Sequence, residues 1–303
     1  MPSLRDFRDR ITSVKSTKKI TSAMKMVAAA KLRKAQEQAE ASQPYALAMS
    51  SMLSRVAAGV APGSGPELLV GTGKSDVHLM IVVSSDRGLC GGFNANLLRF
   101  VMSEITRLEK DGKTVKIVCV GRKAKDFIKR SHADKIVESF TGITGQRVTS
   151  YEDADKVAQM VLAQFGAGEF DVCSLIYNEF HSVLTQRPKS QQLIPFAISV
   201  SNDNDTQAVE TDTGTIIATS QYDFEPEESV ILGQLLPKNI GVQIFGALLD
   251  SSAGEQAARM TAMDNATRNA GERINDLTLQ YNRARQAYIT KELIEIISGA
   301  EAV

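Results

Sequence analysis

The sequence predicts an α/β protein of elongated outline, in which the N- and C-terminal helices form a long antiparallel, left-handed coiled coil around an inserted, Rossmann-like parallel-sheet domain. Three observations carry this. Residues 3–58 contain no glycine and a single proline, Pro44, and are dominated by Ala, Lys, Arg, Met and Gln, the composition of one long helix. Near the other end, Met260, Met263, Thr267, Ala270, Ile274, Leu277, Tyr281, Ala284 and Tyr288 recur at alternating steps of three and four, a heptad seam. Between them, short apolar runs alternate with helical segments, the pattern of a mostly parallel sheet covered on both faces.

Taken in order, residues 1–60 form the first helix. Pro2 is tolerated before its first turn, where its missing N–H had no intrahelical partner, and Pro44 should kink the helix or mark an interruption. At 1.5 Å per residue, 55 residues reach about 80 Å, several times an ordinary globular helix. Leu4, Phe7, Ile11, Val14, Lys18 or Thr17, Thr21 and Met24 repeat the heptad spacing of the far end, so the two ends should pair. A strict seven-residue repeat lags the 3.6-residue helix and gives left-handed supercoiling. The Pro/Gly/Ser-rich stretch APGSGPELLVGTGKSD, residues 61–76, opens the inserted domain, expected over 75–225. Strands are expected at 77–84, 114–120, 134–139, 170–177 and 192–199, with helices near 94–110, 122–131 and 151–168. The last section, 226–303, begins with Pro237 and several glycines disturbing its first third and is uninterrupted helix from about Glu255.

Composition narrows the function classes. Of 303 residues, 43% are hydrophobic and 23% charged, which excludes a disordered chain. Basic and acidic residues balance at 35 each, but not evenly. Residues 1–40 hold ten Lys or Arg against four acids, a local net charge of +6, whereas residues 201–230 hold eight acids and neither Lys nor Arg. The basic face of the first helix has few aromatics to interleave with bases, so nucleic acid is not expected; it reads as a solvated face first and a surface for an acidic protein second. Cys90, Cys119 and Cys173 are an odd number without CxxC spacing, implying a reducing compartment and no disulfide framework. Apolar runs such as residues 79–83 fall far short of the roughly 20 residues that span a bilayer, so membrane association must run through partners, without direct lipid insertion.

Two segments resemble ligand-binding motifs. GTGKS, residues 71–75, looks like the end of a phosphate-binding loop, but the first glycine of that motif would fall on Leu68 and the segment precedes a strand. SSDRGLCGGFN, residues 84–94, follows a strand and precedes a helix, yet Gly88, Gly91 and Gly92 do not make G-x-G-x-x-G. It reads as a tight strand-to-helix turn with Asn94 as the helix N-cap. His78, His132 and His181 are scattered, without metal-ligand spacing or an evident partner for Cys90. No cofactor, metal or catalytic residue is expected.

ITSVKSTKKITSAMKMVAAAKLRKA (11–35), EQAARMTAMDNATRNAGERI (255–274), YNRARQAYITKELIEIISGAEAV (281–303) and the turn SSDRGLCGGFN together resemble the gamma subunits of F-type ATP synthases, and the likeness runs the full length. The resemblance implies a noncatalytic rotor shaft. Its paired helices would enter a ring of three alpha and three beta subunits, with the inserted domain near the epsilon subunit and the membrane c-ring, coupling proton-driven rotation to changes at the beta subunits. It carries over Met24, Lys25, Arg259, Arg285, Gln286, Thr290 and Glu295 as contacts to beta, and Tyr222, Asp223 and Glu225 as contacts to epsilon and the membrane ring. The chain lacks the paired-cysteine insert of plastid members in 201–225, and a start three residues before the first helix looks bacterial, so the cytoplasmic face of the bacterial inner membrane is the expected location. The competing readings are a nucleotide-binding α/β enzyme with a coiled-coil appendage and a passive coiled-coil scaffold.

Overall fold

The structure, a computed structural model, describes residues 3–59, 65–144, 149–196 and 228–301. Helix α1, Leu4–Gly59, begins with a reciprocal cap: the Ser3 hydroxyl accepts from the Asp6 N–H (3.2 Å) and the Asp6 carboxylate from the Ser3 N–H (2.9 Å). It runs through Pro44, which is exposed, so the carbonyl deprived of its partner there lies on the solvent side. The short α2, Glu67–Val70, leads into strand β1, Val77–Val83. Helix α3 (Phe93–Lys110), strand β2 (Thr114–Val120), helix α4 (Arg122–Ile128), strand β3 (Ile136–Phe140), helix α5 (Tyr151–Gly166), strands β4 (Val172–Phe180) and β5 (Gln186–Ile194), and the 74-residue helix α6 (Glu228–Glu301) follow.

The sheet order is β3-β2-β1-β4-β5, with the first four strands parallel and β5 antiparallel at the edge. Helices α3 and α4 cover one face, burying Leu97, Val101, Ile105, Ala124 and Ile128 against Met80, Val82, Ile117 and Cys119. On the other face α5 is joined by α6 itself: Ile240, Ile244, Ala247 and Leu248 lie in the same core as Leu79, Ile81, Val118 and Leu175. One stretch of α6 is thus both sheet cover and half of the rod.

Three expectations need correction. The last strand was placed at 192–199 because only its end is apolar; the observed strand starts six residues earlier with QRPKSQQ, most of it outside the core, as an antiparallel edge strand allows. Residues 197–199 lie outside the described residues. Helix α3 is capped at Gly92, and Asn94 sits inside its first turn, turned back to accept from the Ser85 N–H (3.2 Å) and to donate to the Ser85 hydroxyl (2.7 Å). Helix α6 also continues without a break through Pro237. Burial of Leu232 and Leu236 against Met49, Leu53 and Val56 outweighs the poor helix propensity of that third.

The helices pair antiparallel in one register. Arg8 meets Tyr281, Thr21 meets Thr267 and Lys25 meets Asp264, so an advance of 17 residues on α1 (8 to 25) matches a retreat of 17 on α6 (281 to 264). The same register brings Leu32 and Ala35 onto Ala257 and Ala253. Phe7, Thr21, Ala28, Met263, Ala270 and Leu277 are buried in the seam. At the ambiguous step Lys18 is the residue that faces α6, since a Cβ on Gly271 would meet its Nζ at 3.3 Å.

Between these two apolar contacts the helices part. Ala39, Ser42, Ala46 and Ser50 of α1 face Asn239, Gln243, Gly246 and Asp250 of α6 across an open cleft of about 1060 Å³. Burial pushes the Asp250 carboxyl up to about 6, with repulsion from Glu179 adding to it and Lys189 and His181 opposing. Because the folded chain holds this proton more tightly than the unfolded one, the stability it contributes is full below the ordinary carboxyl range and is lost as pH rises through about 6. Asp250→Asn should therefore stabilise the chain at pH 7.5 by on the order of 1–3 kcal/mol and have almost no effect at pH 4, read from denaturant melts at both pH values. A second substitution tests the sheet. Gly121 has φ +103°, and a Cβ there would lie 2.2 Å from the Ser84 carbonyl oxygen, so Gly121→Ala should cost more than about 2 kcal/mol in the same melts.

Candidate functional site

The carboxyl ends of the parallel strands, where an open α/β sheet holds its ligands, are filled by the chain's own groups. Asp86, 4% exposed, accepts from the backbone N–H groups of Arg122 (2.9 Å), Gly142 (3.0 Å) and Thr144 (3.0 Å) and from the Thr144 hydroxyl (3.1 Å). One carboxylate thus ties together the turns after β1, β2 and β3 and occupies the start of α4, where a phosphate would otherwise sit. Cys90 is buried in the same turn. Burial raises its thiol pKa despite the Arg259 charge, and its sulfur takes a hydrogen bond from Asn94 (3.2 Å), so it is a poor nucleophile. The histidines stay apart: His78 bonds the Ser75 carbonyl, His132 the Ser131 hydroxyl and His181 the Glu179 carboxylate. GTGKS is a connector fastened by Thr72 to Asp171, whose carboxylate also takes the N–H groups of Asp76 and Val77. Among the described residues no group of three or more His, Cys, Asp or Glu gathers as metal ligands.

The rod offers a different kind of site. Lys25 forms an ion pair with Asp264 at 2.6 Å, half exposed, and Met24 beside it is partly buried. Arg285, Gln286 and Thr290 are all exposed on α6. The register puts Leu4, the first residue of α1, opposite the 284–285 region, so the 17 residues 285–301 of α6 run on without the other helix. That overhang is about 25 Å long. Its described side chains from 285 to 298 are all exposed, including Tyr288, Ile289, Leu293, Ile294, Ile296 and Ile297 at 47–63%. Glu295 lies on this helix, with its side chain outside the described set, and Tyr222, Asp223 and Glu225 lie outside the described residues altogether. Ile20, Met26 and Val27 extend the exposed apolar surface along α1.

Arg259 stands apart from the other candidate contacts. Its side chain is 11% exposed, and Nη2 donates both to the Glu255 carboxylate (2.6 Å) and to the Gly88 carbonyl (3.2 Å). Burial raises the Glu255 carboxyl pKa, and the Arg259 charge and hydrogen bond offset only part of that rise. Sequence reasoning passed over Glu255, although its i,i+4 spacing to Arg259 was a visible signal, and over Asp264, for which no local signal existed. Tyr281 was read as a seam residue only; its hydroxyl accepts from Arg8, whose guanidinium lies 5.5 Å from the ring centroid.

Against known proteins, a family model described as ATP synthase matches residues 3–303. The chain is 53% identical to the ATP synthase gamma chain of Granulibacter bethesdensis and 51% identical to that of Rhodospirillum rubrum, each alignment covering 100% of both chains. Among solved structures, a chain of the central stalk and c-ring of the Tetrahymena thermophila mitochondrial ATP synthase superposes with a TM-score of 0.57 at 28% identity, over 82% of this chain and 99% of that one. A chain of the Euglena gracilis mitochondrial enzyme shares the fold at a TM-score of 0.64 over 99% of this chain and 94% of that one. A full-length match, a two-helix rod with a bare end and a sheet whose ligand edge is sealed lead to one assignment: the chain belongs to the family of ATP synthase gamma chains.

Proposed function

We propose that the chain is the central rotor shaft of an F-type ATP synthase, a noncatalytic subunit that passes rotation of a proton-driven membrane ring to the catalytic beta subunits. The observation that carries this is the overhang of α6, a helix end with exposed isoleucines and, among the described residues, no second helix beside it. Apolar surface of that extent at a helix tip calls for enclosure by other chains. A ring of three alpha and three beta subunits supplies an enclosure that still permits turning, because a smooth apolar contact has no preferred direction. An asymmetric rod touches each beta subunit differently at any moment, and such differential contact is what shifts a conformational equilibrium.

Arg285, Gln286, Thr290 and Glu295 on the overhang, with Met24 and Lys25 below it, form the set proposed to meet beta, and the +6 charge of residues 1–40 favours an acidic partner surface. Arg259 joins that set only if it leaves Glu255. Tyr222, Asp223 and Glu225 are proposed to meet the epsilon subunit and the membrane c-ring, at the base of an inserted domain spanning 75–225 between helical segments 1–60 and 226–303. In this arrangement the shaft works at the cytoplasmic face of a bacterial inner membrane and reaches the bilayer only through partners; no helix among the described residues is long and apolar enough to cross it. The nucleotide-enzyme reading meets the difficulty that Asp86 already takes the N–H groups a phosphate would need.

Mixing the purified chain with alpha and beta subunits should yield a 3:3:1 complex with ATPase activity absent from the chain alone. If well-folded partners fail to assemble with it, the rotor reading is wrong. In that complex, Arg285→Ala with Gln286→Ala should lower the ATPase rate while changing the melting of the isolated chain by no more than about 0.5 kcal/mol, since both side chains are exposed. Asp264→Asn removes a half-exposed ion pair and should cost at most about 1 kcal/mol in the same melt.

A further inference from the structure

We propose that the glycine-rich turn at residues 84–94 is a torque clamp: it grips α6 through Glu255 and Arg259 and fixes the rotational setting of the shaft against the α/β domain. The inference rests on the rotor reading and gives the turn a role that nucleotide binding does not fill.

Glu255 is 1% exposed and Arg259 11%, and among the described ion pairs this is the one in which both partners are nearly buried. A single guanidinium nitrogen bridges the Glu255 carboxylate on α6 and the Gly88 carbonyl in the turn. Lys31 of α1 and Asp86 of the turn add opposing charges to the Glu255 environment, so α1, α6 and the turn meet electrostatically at this point. The backbone is shaped for the same contact. A Cβ on Gly254 would meet the Phe93 ring at 3.1 Å and Gln186 at 3.3 Å, and one on Gly91 would sit 3.7 Å from Ala262. The Asn178 amide donates to the Phe93 carbonyl and anchors the turn to β4 from behind.

Position gives the contact its mechanical meaning. The chain enters and leaves the α/β domain near Gly59 and Glu228, beside the Leu53, Val56 and Leu232 cluster, while Arg259 lies 27 residues beyond Leu232 on α6, about 40 Å away. Between them the domain touches α6 through Ile240, Ile244, Ala247 and Leu248, a largely apolar contact that resists separation better than rotation, with one hydrogen bond between neutral amides, Gln191 Nε2 to Gln243 Oε1 (2.8 Å), beside it. A directional hydrogen bond to a backbone carbonyl, backed by a buried charge pair, resists rotation. Torque applied at one end of the domain therefore reaches the overhang through this point.

The test uses the complete ATP synthase in membrane vesicles, carrying Glu255→Gln or Glu255→Asp, with ATP hydrolysis and ATP-driven ion transport measured side by side. Glu255→Gln keeps Arg259 available to any partner but removes the charge that holds it on the turn. The clamp requires fewer ions moved per ATP in Glu255→Gln, with transport restored in Glu255→Asp. Equal ions per ATP in Glu255→Gln and the parent would overturn it, as would hydrolysis and transport falling in the same proportion with reduced assembly, the mark of a folding role alone. Amide exchange on the isolated full chain gives a reading independent of the rotor assignment: residues 86–93 should exchange faster in Glu255→Gln while β1 and β4 stay protected, and an unchanged turn sinks the clamp. Failure of the parent chain itself to enter the complex would count against the rotor reading instead.

Discussion

The register between α1 and α6 is the constraint on which the rest of the molecule depends. It is set by three polar cross-links, Arg8 to Tyr281, Thr21 to Thr267 and Lys25 to Asp264, placed along a seam whose apolar residues alone would tolerate a slide by one heptad. A slide of seven residues would part all three and would drive Lys18 away from the glycine at 271 that admits it. It would also change the length of bare helix beyond Leu4. The reach of the shaft is thus decided by polar contacts of modest strength acting together.

Helix α6 serves two partners at once, and its composition reflects the compromise. Toward the tip it carries the wide, mixed spacing of a two-helix seam; along 240–248 it is apolar enough to complete the core of a sheet. The two demands meet at Gly254 and Glu255, where small side chains let the turn approach closely and one buried ion pair sits among them. A buried pair is weak evidence for stability and better evidence for a fixed geometry, because removing either partner leaves the other charge stranded.

Much of this was legible in the residues. The alternation of three and four marked the seam on α6 from Met260 to Ala284, but it ran on to Tyr288, which is exposed past the start of α1; glycine-free composition marked α1 nearly to its ends. The parallel strands declared themselves because burial on both faces makes them continuous apolar runs. What stayed hidden did so for physical reasons. Strand β5 is an edge strand with a polar sequence, so hydrophobicity marked only Leu193 and Ile194. Pro237 looked like a break because tertiary burial, which overrode it, is not a local property. The burial of Arg259 could not be read because an i,i+4 ion pair on a solvated face and one buried under a turn are written with the same letters.

The three cysteines share one setting, and it shapes how the chain meets oxidants. Cys90, Cys119 and Cys173 are each at most 2% exposed, and burial pushes the Cys119 thiol up to about 11 against the opposing Lys125 charge, and that of Cys173 higher still. Peroxide and disulfide exchange both act on thiolate that solvent can reach, and here there is almost none. The chain is thereby kept from forming stray covalent bonds to whatever it touches: its sulfur is spent as packing, out of reach of the surface.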